Sequence, residues 1–246
     1  MRKTLRKNGQ MSEPSTGVAA RTTGSARRPL TRDRVLSAAL AIADDDGVEN
    51  VTMRSVAGSL GVEAMALYRH VRNKDELLDG IAAAVVTEVN DECDALPGAT
   101  GDWRAIARAR MLVARSVMLR HPWAPGVISS RGSLSLELMD YFERLCAILV
   151  DGGCSMALVH HGIHALGSRA LGFSPELFEP KAAAANEDGA MADLEAFADR
   201  FPNAVRMVTE LSHDASSTLG WCDDQEEFEF GLDVILDGIE SHRTSV

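Results

Sequence analysis

A chain of 246 residues with 46% hydrophobic and 25% charged side chains can bury a large core and divide into two domains; at 5% aromatic, Leu, Val, Ile, Ala and Met must fill it. No apolar run reaches the roughly 18 residues of a membrane span, the N-terminus lacks an apolar signal core, and Cys93, Cys146, Cys154 and Cys222 have no Cys-X-X-Cys spacing; this argues against a zinc site or disulfide framework and for a reducing cytoplasm. The net charge of −11 would argue against nucleic acid if it were even, but residues 1–32 hold eight Lys and Arg against Glu13 alone, a net of +7 that leaves −18 to the rest.

Residues 1–30, rich in Ser, Thr, Gly and Arg and without apolar periodicity, read as a disordered basic tail. Arg21, Arg27, Arg28 and Arg32 are candidates for phosphate or minor-groove contacts. A solvated extension, or a start at Met11, explains the same composition.

Residues 31–78 read as a DNA-binding helix-turn-helix domain. Thr31 is a candidate N-cap for a first helix whose apolar positions Val35, Ala38 and Ile42 recur at helical spacing, with Gly47 just past its end. Thr52 caps a second, with Val56 and Leu60 facing inward, and Gly61 in Leu60-Gly61-Val62 supplies the positive φ of a tight corner. Beyond it, Glu63 to Val71 is too short to be stable alone, yet Leu67 and Val71 can pack on the second helix. The free faces then carry Ala64, Met65, Ala66, Tyr68, Arg69 and His70. Arg69 can donate two hydrogen bonds to guanine, Ala66 can touch a thymine methyl, and Tyr68, His70 and Lys74 suit phosphate oxygens. Asn73 caps a long fourth helix whose positive end would lie beside the same backbone.

The string Thr52-Met53-Arg54-Ser55-Val56-Ala57, through Leu60-Gly61-Val62, to Leu67-Tyr68-Arg69-His70-Val71-Arg72-Asn73-Lys74 resembles the motif of the tetracycline repressor (TetR) family of bacterial transcriptional regulators. The resemblance implies a homodimer whose paired recognition helices, Ala64 to Val71, enter successive major grooves of a palindromic operator. It also implies that Thr52, Met53 and Arg54, at the start of the second helix, touch that double-stranded DNA.

Residues 79–246 read as helical, with no alternating strand pattern and no repeat, and the resemblance implies that they form a ligand-binding and dimerisation domain. The fourth helix should end near Asp94, and Asp102 should cap a fifth that stops before His121-Pro122. A short piece covers Trp123 to Ser129. Leu138, Phe142, Leu145 and Leu149 mark a seventh helix, stopped by Gly152-Gly153. Ser155 caps an eighth, with Val159, Ile163, Leu166 and Ala170 in register. Phe173 to Leu194 reads as a mobile loop. A ninth helix is expected over Asn203 to Leu211 and a last over Gln225 to Ser241. The last has a stripe of Phe228, Leu232, Ile235 and Ile239 flanked by Gly231, Val234 and Gly238, broad enough for burial on two sides. The run Phe230 to Glu240 is also similar to the closing helix of the tetracycline-repressor-type C-terminal domain, which implies a dimer interface formed by residues 155–171 and 225–241 of each subunit.

The same resemblance implies a small-molecule inducer bound among the C-terminal helices, for which Trp103, Arg110, Met111, Met118, Trp123, Met139 and His164 are candidate pocket residues; Met and Trp at helical spacing serve equally well as core. Where the tetracycline repressor has two magnesium-linked histidines, this chain has Asn90 and Ile128. Asparagine is a poor magnesium anchor and isoleucine cannot ligate, which argues against magnesium–tetracycline as the ligand. His160 and His164 are four apart, the spacing of a helical two-histidine metal site, and Glu176 or Glu179 could complete it. No other catalytic motif accompanies them. The sequence thus reads as an all-α, cytoplasmic, homodimeric repressor with an N-terminal three-helix DNA-binding domain, not an enzyme, requiring no metal or cofactor beyond its effector. An activator on the same fold, or a helical metal-dependent enzyme, is the alternative.

Overall fold

A computed structural model describes residues 29–96, 102–131, 135–167, 169, 171, 199–210 and 225–243. Every regular element among them is helical: α1 (Arg32–Asp46), a 3₁₀ turn (Val48–Asn50), α2 (Met53–Leu60), α3 (Ala64–Leu67), α4 (Lys74–Asp94), α5 (Trp103–Arg120), α6 (Ala124–Ser130), α7 (Leu136–Asp151), α8 (Met156–Leu166), α9 (Pro202–Glu210) and α10 (Gln225–Arg243). The region expected to be a mobile loop, Phe173 to Leu194, lies outside the described residues, as do residues 1–28.

The starts are set by side-chain caps. Thr31 Oγ1 accepts from Arg34 N at 3.2 Å, Asn73 Oδ1 from Glu76 N at 2.8 Å, Asp102 Oδ1 from Arg104 N at 3.1 Å and Ser155 Oγ from Leu158 N at 3.3 Å. Thr52 makes a capping box with Ser55, each side chain accepting from the other's backbone N–H, at 3.0 and 2.9 Å. Ser135, unmarked in the sequence reading, caps α7. At the corner after α2, Gly61 adopts φ 64 and ψ 37, a left-handed conformation costly for any other residue.

Several helices depart from the apolar periodicity. The buried stripe of α1 is Val35, Ala39 and Ala43 in place of Val35, Ala38 and Ile42, α2 buries Ala57 where Leu60 was expected, α7 buries Tyr141 where Phe142 was expected, and α10 buries Leu236 where Ile235 was expected. The helix expected over Glu63 to Val71 is α-helical only through Leu67; Tyr68 to His70 continue as a turn in which His70 N and Val71 N both donate to Leu67 O, at 2.8 and 3.0 Å.

α1, α2 and α3 pack together, and α1 also rests on the first half of α4. There Gly80 is buried against Leu36, and a Cβ would lie 2.5 Å from Leu36 Cδ2. One core joins α4, α5, α6 and α7 through Val85, Val89, Ala114, Val117, Met118, Tyr141 and Leu145. A second joins α5, α8 and α10 through Trp103, Met111, Leu149, Val159, Phe228, Leu232 and Leu236. Arg108 of α5 reaches Glu229 and Asp233 of α10, at 2.6 and 2.8 Å, sealing the edge of the second core.

Candidate nucleic-acid interface and effector site

The first site follows from what α3 hides. Leu67 and Val71 are buried, with Val56 and Ala57 of α2 beneath them. The helical turn therefore turns Met65, Tyr68 and Arg69 to solvent, with Met65 74% exposed, while Ala64, Ala66 and His70 are half-buried. Two alanines beside the exposed edge leave the backbone low enough to approach a base pair. Arg54 is exposed and Met53 half-buried on the first turn of α2. Thr52 is exposed, with its oxygen engaged in the cap. Lys74 is exposed as the first residue of α4, its Nζ 3.5 Å from Glu49 O. Next to it, hydrogen bonds from the Arg72 side chain and backbone hold the Glu76 carboxyl below the ordinary carboxylate value. The ten sequence-derived residues thus gather at the α2 start, α3 with its following turn, and the α4 start.

The effector candidates scatter instead. Trp103 packs in the second core and its Nε1 donates to Glu240 at 3.0 Å. Met111 and Met118 are fully buried in separate cores. Met139 and His164 face solvent on α7 and α8. Trp123 donates to Asp44 at 2.7 Å. Arg110 alone is a buried charged group, between α4 and α7. A cleft of about 150 Å³ lies between α4, α6 and the start of α7, lined by Asp79, Ala82, Ala83, Val86, Ile128, Arg131, Ser135 and Leu138. None of the seven effector candidates lines it. Arg131 announces the cleft in retrospect, since it is a charged residue at the junction of two apolar helices.

Asn90, which the resemblance set against a magnesium-linked histidine, is buried with its Nδ2 donating to Glu137 O at 3.0 Å, and Ile128 presents only carbon. Such a pair does not fit a magnesium ion. Among the described residues no group of three or more His, Cys, Asp and Glu is arranged for a metal. His160 and His164 are exposed on α8 with ring centroids 4.5 Å apart, and Glu176 and Glu179 lie outside the described residues.

Two family models match the chain. That of the bacterial regulatory proteins of the tetR family matches residues 35–81, and that of the tetracyclin repressor-like C-terminal domain matches residues 96–243. The chain belongs to the tetR family. This regulator is 30% identical over 215 residues to the transcriptional repressor DrrR1 of Streptomyces coeruleorubidus, covering 86% of this chain and 77% of that one. It is 27% identical over 218 residues to the class D tetracycline repressor of Escherichia coli, covering 88% and 92%. Among solved structures it resembles apo ActR of Streptomyces coelicolor, with a TM-score of 0.66, 28% identity and coverage of 89% and 98%. ActR has also been solved in complex with actinorhodin, at 27% identity to this chain, a TM-score of 0.66 and coverage of 88% and 99%. No described helix is long and apolar enough to cross a membrane.

Within this DNA-binding transcriptional regulator, α6 is tied at both ends to the helices that position α3. At its start, His121 Nδ1 lies 2.7 Å from Asp44 Oδ1 of α1, and the Trp123 indole donates to the same oxygen. His121 Nε2 lies 3.2 Å from Glu88 of α4. Burial would raise the Glu88 carboxyl, but hydrogen bonds from Arg120 and His121 outweigh it and hold the group below the ordinary carboxylate value. At its end, Arg131 reaches Asp79 and Asp75 of α4, at 3.1 and 3.5 Å. The residues flanking α6 are therefore tied to α1 and to the base of α4 together. In a double-mutant cycle, Asp44→Ala and His121→Ala should couple by about 0.5–3 kcal/mol in urea unfolding, because each strands the other's hydrogen-bonding atom. Strictly additive losses would remove the joint.

Proposed function

We propose that this regulator is a repressor that binds a palindromic operator as a homodimer and releases it when a small molecule occupies the C-terminal helices, the chain acting in the cytoplasm with no metal or other cofactor. The observation that carries the DNA reading is the division of α3, with Leu67 and Val71 buried while Met65, Tyr68 and Arg69 face out beside two alanines. The N-terminal three-helix unit over residues 31–78 reads the DNA, and residues 79–246 bind effector and partner.

Dimerisation is supported by an apolar face on α8 and α10 that the described residues leave uncovered. Met156 is 70% and Phe230 72% exposed, and Val234 and Gly238 also face solvent. A groove of about 430 Å³ runs between the two helices, lined by Leu158, His161, Gly162, Ala165, Val234, Ile235, Gly238, Ile239 and His242. Gly238 is open, as a helix-packing position requires, whereas Gly231 is covered by the Arg169 guanidinium and plays no such part. The two-fold axis would set the α3 turns about 34 Å apart, one turn of B-DNA. Effector control is supported by the α6 ties and by ActR, which has been solved with a small molecule bound.

The test is binding of the purified protein to DNA from its own upstream intergenic region, against a scrambled duplex at near-physiological salt. Preference for a palindrome, with two subunits per site, is the expected result. Equal binding to both duplexes across several salt concentrations would defeat the reading.

A further inference from the structure

We propose that the effector carries a carboxylate-type pair of anionic oxygens, received side-on by the Arg110 guanidinium with a third hydrogen bond from Tyr141. This rests on the reading that a small molecule acts from the C-terminal helices. Arg110 is 6% exposed in the middle of α5, yet its Nε and Nη2 have no hydrogen-bond partner among the described residues. Those two nitrogens form one edge of the planar guanidinium, the edge that takes both oxygens of a carboxylate at once. Its remaining nitrogen, Nη1, has Asp94 at 3.7 Å, and Asp94 is shared with Arg144.

The surroundings narrow the chemistry. Arg110 Cζ lies 5.6 Å from the centroid of the Tyr141 ring on α7. The Tyr141 hydroxyl is buried without a hydrogen-bond partner among the described residues, and burial pushes the phenol well above its ordinary value, so it remains a donor. Asn90 of α4 donates to Glu137 O, one turn before Tyr141, and its Oδ1 has no hydrogen-bond partner among the described residues. Buried polar atoms without partners are rare in native interiors, and here three helices bring such atoms to one region. Three idle donors against one idle acceptor match an anion flanked by a hydroxyl or N–H. Val89, Ala114 and Leu145 in the same core require the rest of that ligand to be apolar.

The cleft lies along α4 and α7, the helices that carry Asn90 and Tyr141. Asn90 lies one turn beyond Val86 and Tyr141 three residues beyond Leu138, and both Val86 and Leu138 wall the cleft. Arg131, at the same cleft, also has an unpartnered Nε, but Asp75 and Asp79 already answer its Nη1. It is therefore the poorer anchor, and Arg110 the better.

Benzoate, a single-ring carboxylate, is the probe, with benzamide as its neutral match. The intact protein, labelled with ¹⁵N-arginine, is followed by its Arg Nε–H resonances and by thermal unfolding. Benzoate should saturably shift a resonance that Arg110→Met abolishes and should raise the melting temperature, whereas benzamide at equal concentration should do neither. Arg110→Met should weaken benzoate by about tenfold or more, and Arg110→Lys should retain part of the effect. Equal responses to benzoate and benzamide, a benzoate response surviving in Arg110→Met, or no response to either, overturns the proposal. Should Arg110→Met fail to fold, the comparison on unaltered protein still decides. Operator preference of that protein without probe is measured alongside: its loss defeats the regulator reading, whereas its presence with equal probe responses defeats the anion inference alone.

Discussion

Replacing Arg69 with alanine is expected to cost about 1–3 kcal/mol of discrimination between operator and scrambled DNA, roughly 5- to 150-fold, while leaving non-specific binding largely intact. Arg69 stands in the turn after α3, exposed, its side chain in no hydrogen bond or ion pair with another described residue, so its removal breaks no polar contact of the folded chain. Its planar fork matches the two acceptors of guanine in the major groove, and that match is lost with the side chain. Lys74→Ala is the control. A lysine at the first residue of α4 meets the duplex as a point charge, so its loss should weaken operator and scrambled DNA alike and reduce the salt slope by about one. Binding isotherms at four or more salt concentrations separate the two effects. Equal losses from both substitutions on both duplexes would move base reading away from Arg69.

Where the sequence was informative, the interactions were local. Thr31, Thr52, Asn73, Asp102 and Ser155 each close a hydrogen bond within three residues, and such bonds depend on side-chain type and spacing alone. The α3 surface was legible for a related reason, because burying Leu67 and Val71 leaves the intervening residues no other face. The joint at Asp44 was not legible, since its partners His121 and Trp123 lie 77 and 79 positions away and neither aromatic carries a local signature. The cleft escaped for the opposite reason. Alanine, valine, isoleucine and leucine line most of it, and periodicity assigns those residues to the core without saying where helices part. Trp103, Met111 and Met118 were plausible pocket residues by chemistry, yet packing density rather than chemistry decides whether such a side chain meets a cavity or a neighbour.

Phe228→Ala should be among the most damaging single changes in the chain, with an expected loss of about 3–5 kcal/mol in urea unfolding. The ring is fully buried where α10 meets α5. Arg115 Cζ lies 4.5 Å from its centroid and Arg169 Cζ 5.3 Å, so two cations use one aromatic ring. Arg115 is itself fully buried, and its Nε donates to Gln225 at the start of α10, at 2.9 Å. Arg169 donates to the Phe228 carbonyl at 3.0 Å. Alanine would leave a cavity and uncover a buried guanidinium at once. Phe228→Leu separates those contributions: it keeps most of the apolar volume and removes the ring, so it should cost clearly less, and the remainder estimates the cation–π share. Unfolding must be followed at fixed, high protein concentration, because a partner bound only to the folded chain adds to apparent stability. A loss below about 1 kcal/mol for Phe228→Ala would mean that α10 is held by Leu232 and Leu236 instead, and that the α8–α10 face does not depend on this anchor.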